Sequence, residues 1–211
     1  MKENEGLRVL IINGSPHEHG SCRRAIDEAA SILENEGIAC DIVQVGEKSI
    51  RGCTACKGCK KLGKCVFDDE VNSTAEAFYS ADGVIVVSPV YYSSPNGTLI
   101  SFLDRLFFST SFDKRMKVGA AIVSARRGGC TATFDTLNKY FAFSGMPIAS
   151  SNYWNQIHGS SYDEASLDLE GLQTVRALAK NMAFLIKAIR LARNTLRLPN
   201  KEDKIYTSFI R

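Results

Sequence analysis

Apolar runs of strand length, with no polar face, alternate along this chain with segments whose apolar residues recur every three or four positions. The runs are LRVLII (7–12), CDIVQV (40–45), GVIVVSPV (83–90) and VGAAIVSA (118–125), and PIASSNYW (147–154) fits a fifth. Between them the spacing predicts helices over 21–36, 68–81, 97–108 and 130–145, then a long helical stretch over 164–193 broken near Gly171. A strand that is apolar on both faces needs cover on both, which a parallel sheet between two helical layers supplies.

Right-handed crossovers and five such strands predict an α/β fold: a flavodoxin-like three-layer sandwich, with a five-stranded parallel sheet in the order 2-1-3-4-5. Its 211 residues suffice for one well-buried domain, expected over 1–195, with an extended C-terminal tail over 196–211. A net charge of +3 without a long Lys/Arg run argues against a nucleic-acid binder. The longest apolar runs fall far short of a membrane span. MKENEGLRVLII has no signal-peptide pattern, so the expected location is cytoplasmic. In a reducing compartment the 7 cysteines are not expected to form a disulfide framework.

Ligands of such sheets bind beyond the carboxyl ends of the strands, where the strand order reverses. Three loops there have unusual composition. The first, Asn13-Gly14-Ser15-Pro16-His17-Glu18-His19-Gly20-Ser21-Cys22, leads into a helix N-terminus, where backbone N–H groups and the helix dipole favour an anion. It is neither GxGxxG nor a P-loop, so its natural guest is a single phosphate; the alternative is an ordinary turn with Ser21 as helix cap. The second, Ser88-Pro89-Val90-Tyr91-Tyr92-Ser93-Ser94-Pro95-Asn96-Gly97, can stack a flat ring and offer it backbone amides, or is a rigid turn with core tyrosines. The third, Ala125-Arg126-Arg127-Gly128-Gly129, allows close backbone approach and offers cations to an anionic edge, or is a solvated loop tip.

GSPHEHGS, SPVYYSSPNGTLISFLDR and ARRGG, in that order after the first, third and fourth strands, resemble the flavin-binding loops of the flavodoxin-like NAD(P)H-dependent FMN reductases. The resemblance runs from about Leu7 to Gly145 and implies bound FMN. It places the phosphate at Ser15, His17, Gly20, Ser21 and Cys22. It lays the isoalloxazine over Pro89, Val90, Tyr91, Tyr92, Ser93, Ser94 and Asn96, with Ala125, Arg126, Arg127, Gly128 and Gly129 closing the other side. The family usually has Asn followed by Thr or Ser in the phosphate loop, where this chain has Ser21-Cys22. The chemistry implied is electron flow from NAD(P)H through FMN to a quinone, a nitro or azo compound or another small acceptor. Arg126 and Arg127 hint at a 2′-phosphate on the donor. No acid or base residue is singled out as catalytic.

Residues 53–65, CTACKGCKKLGKC, space four cysteines as C-x2-C-x2-C-x5-C: Cys53, Cys56, Cys59 and Cys65. Structural zinc usually uses two knuckles set further apart. Three thiolates in seven residues suit three corners of a cubane, with the fourth ligand soon after, and Lys57, Lys60, Lys61 and Lys64 would offset the cluster's negative charge. Disulfides and free thiols in a capping loop complete the alternatives. The segment resembles the compact motif of the iron–sulfur flavoproteins, which implies a [4Fe-4S] cluster exchanging electrons with FMN and ferredoxin as the donor. A homodimer is implied as well, or a homotetramer if this loop mediates assembly. Outside these loops, Asp104-Arg105 fits a structural ion pair or a cap on a neighbouring loop, Asn152–Gly159 a packed loop or a flavin cover, and Cys40 and Cys130 buried inert thiols.

Overall fold

Val9 and Ile11 pack on one side of the central sheet, Leu10 and Ile12 on the other, and all four are fully buried. They belong to β1 (Arg8–Asn13), the middle of a computed structural model that describes residues 6–196 and 198–209. The expectations that touch residues 1–5, 197, 210 and 211 lie outside the described residues.

The elements follow the predicted alternation. After β1 come α1 (Ser21–Asn35), β2 (Ala39–Gln44), a short α2 (Cys59–Leu62), α3 (Glu70–Ser80), β3 (Gly83–Tyr91) and a two-residue β4 (Ser94–Pro95). Then follow α4 (Gly97–Ser109), β5 (Val118–Ala125), α5 (Cys130–Phe143), β6 (Gln156–His158), α6 (Tyr162–Ser166) and α7 (Leu169–Thr195). The parallel strands lie in the order β2-β1-β3-β5-β6, which is the expected 2-1-3-4-5 once the hairpin strand β4 is set aside. α1, α6 and α7 bury one face of the sheet; α3, α4 and α5 bury the other. The period-two alternation recurs in β3, where Ile85 and Val87 face the first layer and Val84 and Val86 the second. Each fully buried aliphatic contributes about 1.5–3 kcal/mol of transfer free energy.

The fifth parallel strand is displaced from the predicted one. Residues 147–154 make one rung, with Gly119 N–H donating to Pro147 O (2.8 Å) and Ala149 N–H to Gly119 O (2.9 Å). The chain then leaves the sheet and rejoins it where Val123 N–H meets Asn155 O at 2.9 Å. Asn155, 1% exposed, explains the detour: its side-chain Nδ2 donates to Ala121 O (3.0 Å), taking the acceptor a continuous strand would have used. The predicted break near Gly171 is also shifted. α6 ends at Ser166, and α7 starts behind Asp168, whose Oδ1 accepts from Gly171 N–H at 2.9 Å. Gly171 therefore lies in the first turn of α7, where a Cβ would come 2.4 Å from Asp168 Oδ2. Residues 198–209 form no regular element. Among the described residues no helix is long and apolar enough to cross a membrane.

Candidate functional site

The carboxyl ends of β1, β3 and β5 bring the three unusual loops together. Asn13, 1% exposed, anchors the first: its Oδ1 accepts from Ser15 N–H at 3.0 Å, while Ser15 Oγ accepts from His17 N–H at 3.1 Å. Behind the loop, Gln44 Nε2 donates to Ser15 O, and a Cβ on Gly46 would lie 2.2 Å from Ser15 C. The end of β2 thus clamps the loop from below. Gly20, not Ser21, is the N-cap of α1, and no side chain caps the helix. Its first-turn N–H groups are left open to an external acceptor, at the end where the dipole favours negative charge. Ser21 is held instead by Ser124 at the end of β5, the two Oγ atoms 2.7 Å apart.

The Cys22 side chain is buried in the core behind the loop at 1% exposure, and burial pushes its thiol up to about 12 despite a hydrogen bond with Ser15. His17 is exposed and Ser15 is 4% exposed. Asn13 Nδ2 is buried without a partner among the described residues, a donor atom within the loop whose capacity is unused.

The second loop is a tight hairpin. Tyr92 (φ 50) and Ser93 (φ 58) occupy the left-handed region, and Val90 pairs with Pro95, Tyr91 with Ser94. Two successive positive φ angles give the two-residue turn that fits strand twist, and each costs a non-glycine residue on the order of 1–2 kcal/mol. Ser88 Oγ holds the base of the hairpin, accepting from Asn96 N–H at 3.0 Å, and Asn96 in turn caps α4 by accepting from Thr98 N–H at 2.7 Å. Tyr92 is fully exposed at the tip. Tyr91 is held protonated above its ordinary range, by burial first and then by the neighbouring Cys22. In the third loop Gly129 (φ +91) packs directly on the hairpin, while Arg126, Arg127 and Gly128 are exposed. Ala125 O accepts from His158 Nδ1 at 3.0 Å, so the end of β6 braces the third loop.

The four cysteines lie apart from these loops but together. Cys53, Cys56, Cys59 and Cys65 line one small pocket that opens to solvent, walled on the other side by Val66, Phe67, Arg105, Phe108 and Ser109. Ala55 (φ 54) and Lys57 (φ 58) take left-handed conformations, and a Cβ on Gly58 would meet Val66 Cγ1 at 2.5 Å. Among the described residues no group of three or more His, Cys, Asp or Glu side chains is arranged to hold a metal ion. Arg105 of α4, 1% exposed, reaches across to this loop. Its Nη1 and Nη2 donate to the two oxygens of Asp69 at 2.6 and 2.8 Å, and to Arg51 O and Phe67 O at 3.2 Å each. Its Nε donates to Cys65 Sγ at 3.3 Å. Burial opposes the guanidinium's charge, yet the Asp69 and Cys65 hydrogen bonds outweigh it and hold Arg105 above its ordinary value. The expected structural ion pair of Arg105 is therefore with Asp69; Asp104 accepts from Tyr140 OH at 2.5 Å.

Sequence reasoning missed Gln44, Gly46, Ser124 and Asp69, each of which acts across a long sequence separation and sits in no motif that marks its partner. Asn13 lies within the first loop, but sequence reasoning missed its anchoring of Ser15.

The model of the NADPH-dependent FMN reductase family matches residues 7–159, which span β1 to the loop after β6. The chain belongs to the NADPH-dependent FMN reductase family. This member is a flavin-dependent oxidoreductase that binds FMN, built on a flavodoxin-like sheet. It is 30% identical over 192 residues to an iron–sulfur flavoprotein of Methanocaldococcus jannaschii, covering 87% of this chain and 100% of that one. It is 29% identical to an iron–sulfur flavoprotein of Methanosarcina thermophila, covering 89% and 100%. Its fold superposes with a TM-score of 0.68 on RosB with bound 8-demethyl-8-formylriboflavin-5′-phosphate, at 16% identity over 97% of this chain and 94% of RosB.

Proposed function

We propose that this FMN reductase family member is an electron carrier with two redox centres: FMN in the loops after β1, β3 and β5, and a [4Fe-4S] cluster on Cys53, Cys56, Cys59 and Cys65. The second centre rests on the single cavity that all four thiols line. Zinc needs its ligands to converge on one point at about 2.3 Å. A cubane takes one thiolate at each of four separate irons, so its ligands surround a volume instead. Four cysteines that all line one pocket fit the second demand. Two relatives named iron–sulfur flavoproteins along most of their length support the same reading.

For FMN, the donor set fits a phosphate. The α1 N-terminus is uncapped, Ser15 and Ser21 are fixed in place, and Asn13 Nδ2 is an unused buried donor. Ser15, His17, Gly20, Ser21 and the backbone of Cys22 would hold the phosphate. Pro89 to Asn96 and Ala125 to Gly129 would enclose the ring, where backbone amides of the hairpin meet its polar edge. FMN supplies the one- and two-electron chemistry when bound. The protein's residues would fix its position and present the hairpin's backbone amides to it.

The flavin-binding unit is taken as residues 1–195, with 196–211 as a tail, working in the cytoplasm as a homodimer or homotetramer. Lys57, Lys60, Lys61 and Lys64 give the cysteine loop a basic surface that suits an acidic electron donor such as ferredoxin. A quinone, nitro or azo compound is the expected acceptor class. A second reading, a two-electron NAD(P)H reductase with free thiols, is favoured by the family's description as NADPH-dependent.

The deciding experiment assays flavin, iron and sulfide on one anaerobically purified sample. About four irons and four sulfides per chain with FMN support the two-centre reading. FMN without iron, together with fast reduction by NADPH, establishes the second one.

A further inference from the structure

Most of a buried arginine's donors serve to keep its charge tolerable. Arg105 has one donor beyond that need. Asp69 takes Nη1 and Nη2 as a bidentate pair, at 2.6 and 2.8 Å. The carbonyls of Arg51 and Phe67 take their remaining N–H groups at 3.2 Å. The planar fork is then fixed, and its Nε–H points at Cys65 Sγ, 3.3 Å away. Arg105 is also a wall of the cysteine pocket and is itself 1% exposed.

We propose that Arg105 sets the reduction potential of the cysteine-bound centre through its Nε–H···Sγ contact with Cys65, and that Asp69 limits how far. This rests on the cluster reading above. When the centre is reduced, one electron enters and no covalent bond forms or breaks. The added negative charge spreads over the centre and its thiolate sulfurs. A donor and a cation on one of those sulfurs favour the reduced form, and so raise the potential. The Asp69 carboxylate on the same guanidinium opposes this, so the pair is nearly neutral and the N–H dipole supplies most of the remaining effect.

That balance predicts opposite signs for two substitutions. Arg105→Gln removes the cation and leaves Asp69 unpaired, so the potential falls. Asp69→Asn keeps the α3 cap, because an amide oxygen can still accept from Val71 N–H. It leaves the arginine's charge uncancelled, so the potential rises. Each change shifts the reduction equilibrium about tenfold or more, which is about 59 mV for one electron.

The test is a mediated redox titration of the wild type and both variants, purified without oxygen, with iron and sulfide measured on each. Shifts of opposite sign at unchanged iron content support the proposal. Shifts of the same sign, or none, in iron-loaded protein overturn it and leave the cluster reading intact, with Arg105 a loop brace only. If Arg105→Gln fails to load, the sign of the Asp69→Asn shift decides alone. A wild type without iron and sulfide removes both the cluster reading and this one.

Discussion

A Cβ on Gly129 would lie 2.9 Å from Val90 Cγ1, so the loop after β5 and the hairpin after β3 touch through the absence of a side chain. The same Cβ would meet Ser93 Oγ at 2.9 Å, and the residue's φ of +91 is one that side chains rarely adopt. Gly129→Ala should therefore push apart the two walls assigned to the flavin ring. The expected cost is about 1–3 kcal/mol in denaturant unfolding of the apoprotein. FMN affinity should fall with it, read by quenching of flavin fluorescence. Unchanged FMN affinity would mean that these loops do not enclose the ring together.

Gly46→Ala tests the other end of the cofactor. A Cβ there would sit 2.2 Å from Ser15 C and 2.3 Å from Gly14 O, which are backbone atoms that cannot turn aside. The phosphate loop must move. FMN affinity should drop about tenfold or more, or about 1.4 kcal/mol. Riboflavin, which lacks the phosphate, should bind wild type and variant alike. An equal loss for both ligands would point to general unfolding of the site.

The cysteines divide into two groups that chemistry can separate. Cys22 is buried and pushed up to about 12, and burial also raises Cys130. Neither should react with iodoacetamide near neutral pH in the folded apoprotein, since the thiolate is the nucleophile. The exposed Cys53 and Cys56 should react, as peptide mass spectrometry would show. Changing any one of Cys53, Cys56, Cys59 or Cys65 to Ser should cut iron content while FMN stays bound. Cys22→Ser should leave iron unchanged, at a cost of about 1 kcal/mol, because a buried hydroxyl there can keep the hydrogen bond with Ser15.

Arg115 offers a pH test away from the site. Its hydrogen bonds hold the Asp113 carboxyl down at about 2, from an ordinary 3.8. A depressed carboxyl adds stability above its unfolded value and loses it as pH falls through the folded one. The pair is partly exposed, so its worth is about 1 kcal/mol or less. Asp113→Asn should therefore be slightly less stable than wild type at pH 7. The gap should close as the pH falls from about 4 towards 2, followed by urea midpoints. A gap that does not change over this range would assign the effect to something other than the ion pair.

Much of the architecture was legible because strand burial writes itself into composition. Val9 to Ile12 and Val84 to Val87 are apolar at every position, since both faces are covered, and that signal needs no partner to be read. The strand after α5 was not legible in the same way. PIASSNYW has strand-like residues, but Asn155 occupies the Ala121 carbonyl from outside the run, and regular pairing starts only at Gln156. The break ahead of α7 was placed at the glycine, whereas the polar cap one turn earlier makes it.

The sequence alone marked out the loops of unusual composition: their glycines, serines and paired aromatics are local properties, and the four cysteines announce themselves by spacing. Only the tertiary structure decided what those loops share. It turned Cys22 into the core, gave Ser21 to Ser124 in place of a capping role, and gathered the four thiols around one cavity. It also brought Arg105 forty residues along the chain to Cys65. Hydrogen bonds and packing across such separations depend on which strands become neighbours, and strand order is a property of the folded sheet, not of any single run.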